Sequence, residues 1–328
     1  MEVRIEGGRF LVIGGAGFIG SHVVDQLLAA GAAEVRILDN FVRGTRANIA
    51  AALRDPRAML VAAPADVRDP SSLSRAMSGV DGVFHLAALW LLECVEKPAD
   101  AFEVNVGGSM NVALAMREAR IRRLVFSSSA SVYGDAVVEP MPESHPFGCR
   151  EVYGASKAAS EHLLGAMARR DDGFGCVHLR YMNVYGPRQD DKGAYVGVVT
   201  RMMRDLESGL PVTIEGDGSQ SYDFIDVRDC ARANLLAMAS DVAIDAFNVG
   251  TGVKTSVAQL ARLVADVHGH GVPVEHRPER SRPFVRNRVG DPGHATRTLG
   301  FRAAIGLADG IRDLSAWRRG EGRGGAGA

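Results

Sequence analysis

The sequence predicts an α/β fold: a doubly wound parallel sheet of the Rossmann type, followed by a smaller C-terminal α/β domain. Short apolar runs alternate with longer helical stretches in the first half, a glycine-rich segment follows the first run, and the alternation loosens after Arg188. Apolar runs of this length are typical of strands buried on both faces. Their alternation with helices favours a parallel sheet covered on both sides.

The elements follow in order along the chain. The apolar patterns predict strands at 10–13, 35–38, 59–62, 83–86, 124–126 and 177–179, and helices near 20–30, 99–119 and 151–169. Further helices are expected near 196–207, 229–239, 255–267 and 305–318. We therefore divide the chain into a first domain, 1–182, and a second, 183–319, with part of 222–253 returning to the first. The last nine residues, 320–328, contain five glycines and are expected to form a disordered tail.

Composition excludes several classes of function. The chain has 328 residues and a net charge of -1, so it lacks the positive field of a general nucleic-acid binder. No apolar run approaches the roughly 20 residues that span a bilayer, and the polar start does not resemble a signal peptide. The four cysteines are scattered and the nine histidines show no metal-ligand spacing. We therefore expect a cytoplasmic protein without a metal site, a membrane partner or a nucleic-acid partner.

The glycine-rich segment is typical of a phosphate-binding loop. Gly14, Gly17 and Gly20 lie between a strand and a helix, where glycine lets the backbone approach a pyrophosphate and the helix presents free N–H groups. Asp39 ends the second strand and is placed to accept hydrogen bonds from a ribose, which favours NAD over NADP, although Arg43 weakens that preference. Asp66 is placed to meet the adenine. The bland alternatives are an empty turn, a turn residue for Asp39 and a helix N-cap for Asp66.

Tyr153 and Lys157 form the candidate catalytic pair, four residues apart on one helix face. A phenol becomes a useful base at pH 7 if its pKa falls by about 3 units, which needs about 4 kcal/mol. The ammonium and a cationic nicotinamide ring are expected to supply that stabilisation. Ser129, after the fifth strand, is placed to hydrogen-bond the reacting oxygen. A surface pair and a turn serine are the alternatives.

Taken together, these residues resemble the extended short-chain dehydrogenase/reductase family, in its NAD-dependent epimerase/dehydratase group. The closest branch is that of UDP-sugar 4-epimerases of the UDP-glucose and UDP-glucuronate type. The matching segments run in family order: Gly14 to Gly20, Val83 to Ala88, Asn105 and Val106, Phe126 to Gly134, Tyr153 to Lys157, Asn183 to Pro187, and Gly216 to Gln220.

The resemblance implies a Ser129–Tyr153–Lys157 triad and tightly bound NAD in the first domain. Tyr153 would accept the C4 hydroxyl proton while hydride passes to NAD, and the 4-keto sugar would rotate before hydride returns. Ala130 and Ser131 stand where dehydratases carry acids, which favours a nucleotide-sugar 4-epimerase. A 4-ketoreductase or dehydrogenase and a non-catalytic NAD-binding regulator remain alternatives. A homodimer through helices near 99–119 and 151–169 is also implied.

The expected binding residues form two sets. Those expected to contact NAD are Gly14, Gly17, Phe18, Ile19, Gly20, Asp39, Asn40, Arg43, Gly44, Asp66, Val67, Leu86, Ala87, Ala88, Asn105, Ser127, Tyr153, Lys157 and Tyr181. Those expected to contact the UDP-sugar in the substrate-binding domain are Ser129, Ser131, Tyr153, Asn183, Tyr195, Thr213, Tyr222, Arg277 and Arg288.

Two features of the second domain depart from the family or need explanation. Tyr222 stands where the family usually has a phosphate-binding arginine, so another cation is needed there. Five arginines lie within 12 residues, at 277, 280, 282, 286 and 288. They form either a solvated loop or an anion clamp, because guanidinium binds phosphate in a bidentate manner. Within the clamp, Arg288 is the candidate for contact with a uronate carboxylate.

Overall fold

The computed structural model describes residues 3–63, 65–170, 173–190, 197–268, 273–279 and 285–320. Its strands are β1 (Arg9–Ile13), β2 (Glu34–Leu38), β3 (Ala58–Leu60), β4 (Gly82–His85), β5 (Arg123–Ser129), β6 (Gly175–Tyr181), β7 (Asn183–Tyr185), β8 (Val212–Glu215), β9 (Ser221–Tyr222), β10 (Phe224–Asp226), β11 (Ile244–Val249), β12 (Thr255–Ser256), β13 (Val274–Arg277) and β14 (Asn287–Arg288).

The helices lie between these strands, as the alternation predicts. They are α1 (Phe18–Ala29), α2 (Arg46–Ile49), α3 (Pro70–Met77), α4 (Leu91–Glu96), α5 (Pro98–Ala101), α6 (Gly108–Glu118), α7 (Val152–Ala168), α8 (Val198–Glu207), α9 (Val227–Ala239), α10 (Val257–His268), α11 (Gly293–Leu299) and α12 (Leu307–Arg318). Two 3-10 turns cover Ala52–Arg54 and Ala130–Val132, and a π-helical segment covers Phe102–Gly107.

The main sheet has seven strands in the order β11-β6-β5-β4-β1-β2-β3, and every pair is parallel. The order reverses between β1 and β4, and ligands of such sheets bind at the carboxyl ends of the strands beside that reversal. The predicted fold class is confirmed. The seventh strand, β11, lies within the segment 222–253, and α9 from the same segment packs on α1.

Hydrophobic cores lie on both faces of this sheet, because successive side chains of a strand point to opposite sides. In β1, Phe10 and Val12 join the core under α1 and α9, while Leu11 and Ile13 join the core under α3 and α6. All four side chains are fully buried. This burial fixes the carboxyl end of β1, where the glycine loop begins.

A third core holds the C-terminal elements together. Met202 and Leu206 of α8 pack with Ile214 of β8, Leu260 of α10 and Leu314 of α12. Small sheets β13-β8 and β12-β9-β14 border this core. The core therefore holds α8, β8, α10 and α12 together as one unit.

The helix expected over 99–119 is interrupted. It forms α5, the π-helical segment and α6 in succession. Within the π-helical segment the Asn105 carbonyl accepts hydrogen bonds from the hydroxyls of Ser109, at 2.6 Å, and Ser160, at 2.9 Å. A widened turn of this kind is frequent at functional sites, and here it turns the Asn105 side chain toward the loop after β4.

Candidate active site

The glycine loop after β1 forms a tight backbone cradle. Gly14 has φ +82°, and a Cβ built on it would lie 2.7 Å from the Ala87 nitrogen. Gly17 is the N-cap of α1 and offers no capping side chain, so the first N–H groups of the helix stay open to a ligand. A Cβ on Gly20 would meet the Gly14 carbonyl oxygen at 2.1 Å. The loop therefore brings backbone donors close to an anion, as a dinucleotide pyrophosphate requires.

A cavity of about 490 Å³ opens from this cradle. Of the residues expected to contact NAD, the following line it: Gly14, Gly17, Phe18, Ile19, Gly20, Asp39, Asn40, Arg43, Gly44, Val67, Leu86, Ala87, Ala88, Ser127, Tyr153, Lys157 and Tyr181. Asp66 and Asn105 are not among its lining residues.

Arg188 is a cavity residue that the sequence analysis did not single out as a ligand. It has φ +69°, and its Nη2 lies 2.7 Å from Asp25 Oδ2. Its buried Nη1 has no hydrogen-bond partner among the described residues. A buried guanidinium nitrogen is rarely left without an acceptor, so this wall of the cavity fits the phosphate oxygens of a dinucleotide.

Asp39 and Arg43 lie together in the wall of the cavity, beyond the glycine loop. The buried Asp39 carboxylate accepts hydrogen bonds from the N–H groups of Ala16, at 2.9 Å, and Phe41, at 2.8 Å. Burial raises the pKa of Asp39, and these hydrogen bonds act against the rise. Arg43 lies 2.9 Å from Asp190 and stacks 4.3 Å from the centre of the Trp90 ring. The positive charge of Arg43, which was expected to weaken the preference for NAD, is therefore paired with the Asp190 carboxylate.

Asp66 and Asn105 brace the loops around the cavity. Asp66 accepts hydrogen bonds from Arg68 and Asn40, and the Arg68 guanidinium lowers the pKa of Asp66 to about 2. Asn105 accepts the Leu89 N–H at 2.8 Å and donates to Ser156 Oγ at 2.9 Å. Their side chains thus join secondary-structure elements, and an adenine contact for Asp66 stays a prediction.

Tyr153 and Lys157 lie on α7 at the carboxyl end of β5. The Lys157 Nζ donates to the Ser127 carbonyl at 2.7 Å and lies 5.9 Å from the centre of the Tyr153 ring. The Ser129 hydroxyl is hydrogen-bonded to the Tyr153 hydroxyl. The three residues expected to form a triad therefore lie together.

Burial shifts the pKa values of both members of the pair. Burial raises the pKa of Tyr153 to about 12, although the hydrogen bond from Ser129 acts against it. Burial also lowers the pKa of Lys157 to about 8, which leaves the ammonium mostly protonated at pH 7. The sequence-based expectation combined the ammonium with a cationic nicotinamide ring. In the protein alone, desolvation of the phenolate outweighs the neighbouring charge, and ionisation of Tyr153 stays a prediction for the NAD-bound protein.

A buried ion pair fixes α7 against the sheet. The Glu161 carboxylate, one turn after Lys157, lies 2.6 Å from Arg180 Nη2 of β6 and accepts a hydrogen bond from Ser128. Burial of the pair excludes water from both partners. Removing one partner would leave an uncompensated charge, so this contact sets the position of the catalytic helix.

A second cavity, of about 750 Å³, adjoins the first and shares Tyr153 with it. Of the residues expected to contact a sugar nucleotide, Ser129, Ser131, Tyr153, Asn183, Tyr222 and Arg288 line it. Thr213 and Arg277 are not among its lining residues: Arg277 is exposed and lies 3.7 Å from Glu275. Tyr195, Arg280 and Arg282 lie outside the described residues.

Two arginines that the sequence analysis missed also line the second cavity. Arg201 and Arg204 are three residues apart on α8 and so share one face of the helix. Arg201 makes a long contact, 3.9 Å, with Glu215. The signal in the sequence was their helical spacing. Both line the cavity that Tyr222 also lines, and the Tyr222 hydroxyl donates to the Val285 carbonyl at 2.8 Å.

Comparison with known proteins identifies the family. The model of the NAD dependent epimerase/dehydratase family matches residues 10–250. A putative UDP-glucose 4-epimerase of Methanocaldococcus jannaschii is 35% identical over 317 residues, which cover 95% of this chain and 99% of the relative. The chain belongs to the NAD dependent epimerase/dehydratase family. This membership confirms the resemblance, and NAD is the cofactor that the family's name gives.

Solved structures of the family agree with this assignment. UDP-glucose 4-epimerase of Thermotoga maritima, with UDP-glucose, has a TM-score of 0.86 and is 34% identical, covering 95% of this chain and 99% of that one. UDP-glucose 4-epimerase of Thermus thermophilus, in complex with NAD, has a TM-score of 0.83 and is 35% identical, with the same coverage. This chain therefore aligns with both structures over 95% of its length.

The described ranges contain neither a metal-ligand cluster nor a membrane-spanning helix. There, no three or more His, Cys, Asp or Glu side chains are grouped so that they could hold a metal ion. None of the described helices combines the length and the apolar character needed to cross a bilayer.

Proposed function

We propose that the protein is an NAD-dependent nucleotide-sugar 4-epimerase that inverts C4 of a UDP-hexose or UDP-hexuronic acid through a transient 4-keto sugar. The observation that carries the proposal is the position of Tyr153, which lines both cavities. A sugar hydroxyl in the larger cavity can reach the phenol while a dinucleotide occupies the smaller one. The proposal is also supported by two relatives, one named UDP-glucose 4-epimerase and one named putative UDP-glucose 4-epimerase. This chain aligns with nearly the full length of each.

The glycine loop and Arg188 would hold the NAD phosphates, and Asp39 would face the adenosine ribose. Ser127 and Lys157 line the inner end of the same cavity, beside Tyr153. NAD, when bound, supplies the oxidation of the C4 alcohol and the later reduction of the ketone. The cavity walls orient the dinucleotide for that purpose and exclude water around it.

The chain's own part in the reaction is proton transfer at the Tyr153 hydroxyl. Tyr153 accepts the proton of the C4 hydroxyl and returns it after inversion, because a base must also act as the acid in the reverse step. Ser129 holds the reacting oxygen through its hydroxyl, and Lys157 stabilises the phenolate by its charge. Since burial raises the pKa of Tyr153, a second positive charge in the adjoining cavity is needed for the phenol to ionise.

Inversion requires the 4-keto sugar to present its other face while the nucleotide stays bound. Arg201 and Arg204 on α8 line the same cavity as Tyr153 and would anchor the diphosphate. Asn183 and Tyr222 line the same cavity and would help to hold the nucleotide half. With the charge anchored there, the neutral ketone is free to rotate about the diphosphate.

Several finer properties belong to the same proposal. We assign 1–182 with part of 222–253 to NAD and 183–319 to the sugar nucleotide, since the two cavities draw mainly on these segments. Phe102, Leu114 and Val152 are exposed apolar side chains on the helices of the expected dimer interface, which supports a homodimer. The four cysteines are free, and three of them are buried, which favours a reducing cytoplasm.

The test is epimerisation without added cofactor. The purified protein is incubated with UDP-glucose, and the anomeric proton signals are followed by NMR. We expect the C4 epimer to form with only the NAD that copurifies, and Tyr153→Phe to slow its formation by about 10²-fold to 10⁴-fold with NAD retained. A 4-ketoreductase would instead require added reduced cofactor and consume it stoichiometrically. An undiminished rate in Tyr153→Phe would refute the assignment of Tyr153.

A further inference from the structure

Glu151 is a buried acid in the wall of the substrate cavity, and the proposed reaction gives it no role. It is the N-cap of α7, two residues before Tyr153, and its side chain makes no capping hydrogen bond to the helix. Only 8% of the residue is exposed, and it lines the cavity that also contains Ser129 and Tyr153. A carboxylate in this place stands beside the sugar rather than beside the diphosphate.

Neighbouring side chains satisfy only one of the two carboxylate oxygens of Glu151. Ser131 donates a hydrogen bond to the carboxylate, and the positive charge of the Arg288 guanidinium also favours its ionised form. Arg288 Nη1 in turn lies 3.4 Å from Ser131 Oγ, so the three side chains form one cluster. Oε2 of Glu151 is buried and has no hydrogen-bond partner among the described residues.

This cluster changes the electrostatic character of the sugar pocket. Arg288 alone would attract a carboxylate, but Glu151 offsets its charge within the same cluster. Burial raises the pKa of Glu151, while Arg288 and Ser131 act against that rise. The position of Glu151 at the amino end of α7 also favours the ionised form.

An unsatisfied buried carboxylate oxygen accepts hydrogen bonds and repels anions. A sugar hydroxyl or an acetamido N–H can donate to it, which removes the cost of leaving a buried acceptor without a partner. The carboxylate of a hexuronate has no proton to donate at pH 7 and would bring a second negative charge against the first. Because the charge of Arg288 is already offset by Glu151, it does not compensate a second carboxylate, and close like charges are then disfavoured.

We propose that Glu151 is a specificity-determining residue that selects a UDP-sugar with an uncharged ring over a UDP-hexuronate. This inference rests on the proposed function and narrows its substrate class. It also reverses the role expected for Arg288: the guanidinium belongs to a charge-compensated cluster with Glu151 and Ser131 rather than to a uronate clamp. Oε2 is the atom that meets a donor on the sugar.

The test compares two substrates in the holoenzyme. We measure kcat/KM for UDP-glucose and for UDP-glucuronate in the parent protein, in Glu151→Gln and in the control Glu6→Gln. Glu6 is an exposed acid just before β1, at the amino ends of the parallel strands and so away from the cavities at their carboxyl ends. We expect the parent and Glu6→Gln to prefer UDP-glucose, and Glu151→Gln to narrow that preference by about tenfold or more. A purely structural role would lower both values together and leave their ratio unchanged.

Binding provides a second measurement that does not depend on turnover. Calorimetry with Tyr153→Phe, which keeps Glu151, is expected to give a lower Kd for UDP-glucose than for UDP-glucuronate. The proposal is overturned if this variant binds UDP-glucuronate as tightly, or if Glu151→Gln folds and its ratio equals that of the parent. If the parent converts neither sugar, the proposed function fails, and the two binding constants still decide the selectivity of the pocket.

Discussion

Lys157→Met tests how the chain prepares its proton acceptor. The Lys157 Nζ lies 5.9 Å from the centre of the Tyr153 ring. At an effective dielectric constant of about 20, a positive charge at that distance stabilises a phenolate by about 3 kcal/mol. This energy corresponds to about two pKa units. Loss of the ammonium should therefore raise the pKa of Tyr153 in the holoenzyme by about two units and slow epimerisation at pH 7 about 100-fold.

The assay is the pH dependence of kcat/KM for UDP-glucose, from about pH 6 to about pH 10, in holoenzyme with its NAD content measured. Activity rises with pH as the phenol ionises, so the rising limb should shift to higher pH in Lys157→Met and part of the lost rate should return there. Lys254→Met is the matched control, because Lys254 is half-exposed and pairs with Glu139 at 2.6 Å. Its profile should equal that of the parent.

One result would refute this reasoning. If Lys157→Met retains NAD and loses rate equally at every pH, the lysine does not act through the ionisation of Tyr153. Its hydrogen bond to the Ser127 carbonyl, at 2.7 Å, would then account for the loss through the position of α7. The pH profile thus separates an electrostatic role from a structural one.

Three further predictions follow from the same structure. Gly14→Ala should lower both the amount of copurifying NAD and the Tm, since Gly14 has φ +82° and a Cβ there would lie 2.7 Å from backbone. The control Gly7→Ala, at φ +74° with open space around it, should keep its NAD. Equal NAD contents in the two variants would contradict the role of the glycine cradle. Arg204→Gln should raise KM for UDP-glucose about tenfold with little change in kcat, by steady-state kinetics, because it removes uniform binding; an unchanged KM would exclude Arg204 from the diphosphate site. Burial lowers the pKa of His22 from 6.5 to about 4. The unfolded chain therefore takes up this proton first as pH falls, and stability drops below about pH 6.5; in urea titrations His22→Gln should remove about 2 kcal/mol of the loss between about pH 7 and about pH 5, and an equal loss in the variant would contradict the shift.

The free energy of ionising Tyr153 connects cofactor binding to catalysis. A pKa of about 12 leaves the phenol protonated at pH 7 in the protein alone. The base would form only when a cationic ring enters the smaller cavity, which places proton acceptance after cofactor binding. In a protein that keeps its NAD between turnovers, the base would be ready for each new substrate without a separate cofactor-binding step.

The sequence by itself determined the local parts of this protein. Gly14 to Gly20 follow a buried strand and open a helix, and Tyr153 and Lys157 share a helix face by their spacing, so neither feature depends on distant contacts. The alternation of apolar runs and helical stretches also determined the parallel sheet, because strands buried on both faces require helices on both sides.

Only the tertiary structure decided the charges of the site. Glu151 and Arg288 are far apart in the chain, and the fold brings both of them to Ser131. Arg277 lies in the same arginine-rich stretch, yet β13 carries it to the surface beside Glu275. Burial also raises the pKa of Tyr153, an effect that the spacing of Tyr153 and Lys157 does not reveal. Desolvation and ion pairing depend on which side chains meet in space, and residue order does not encode those distances locally.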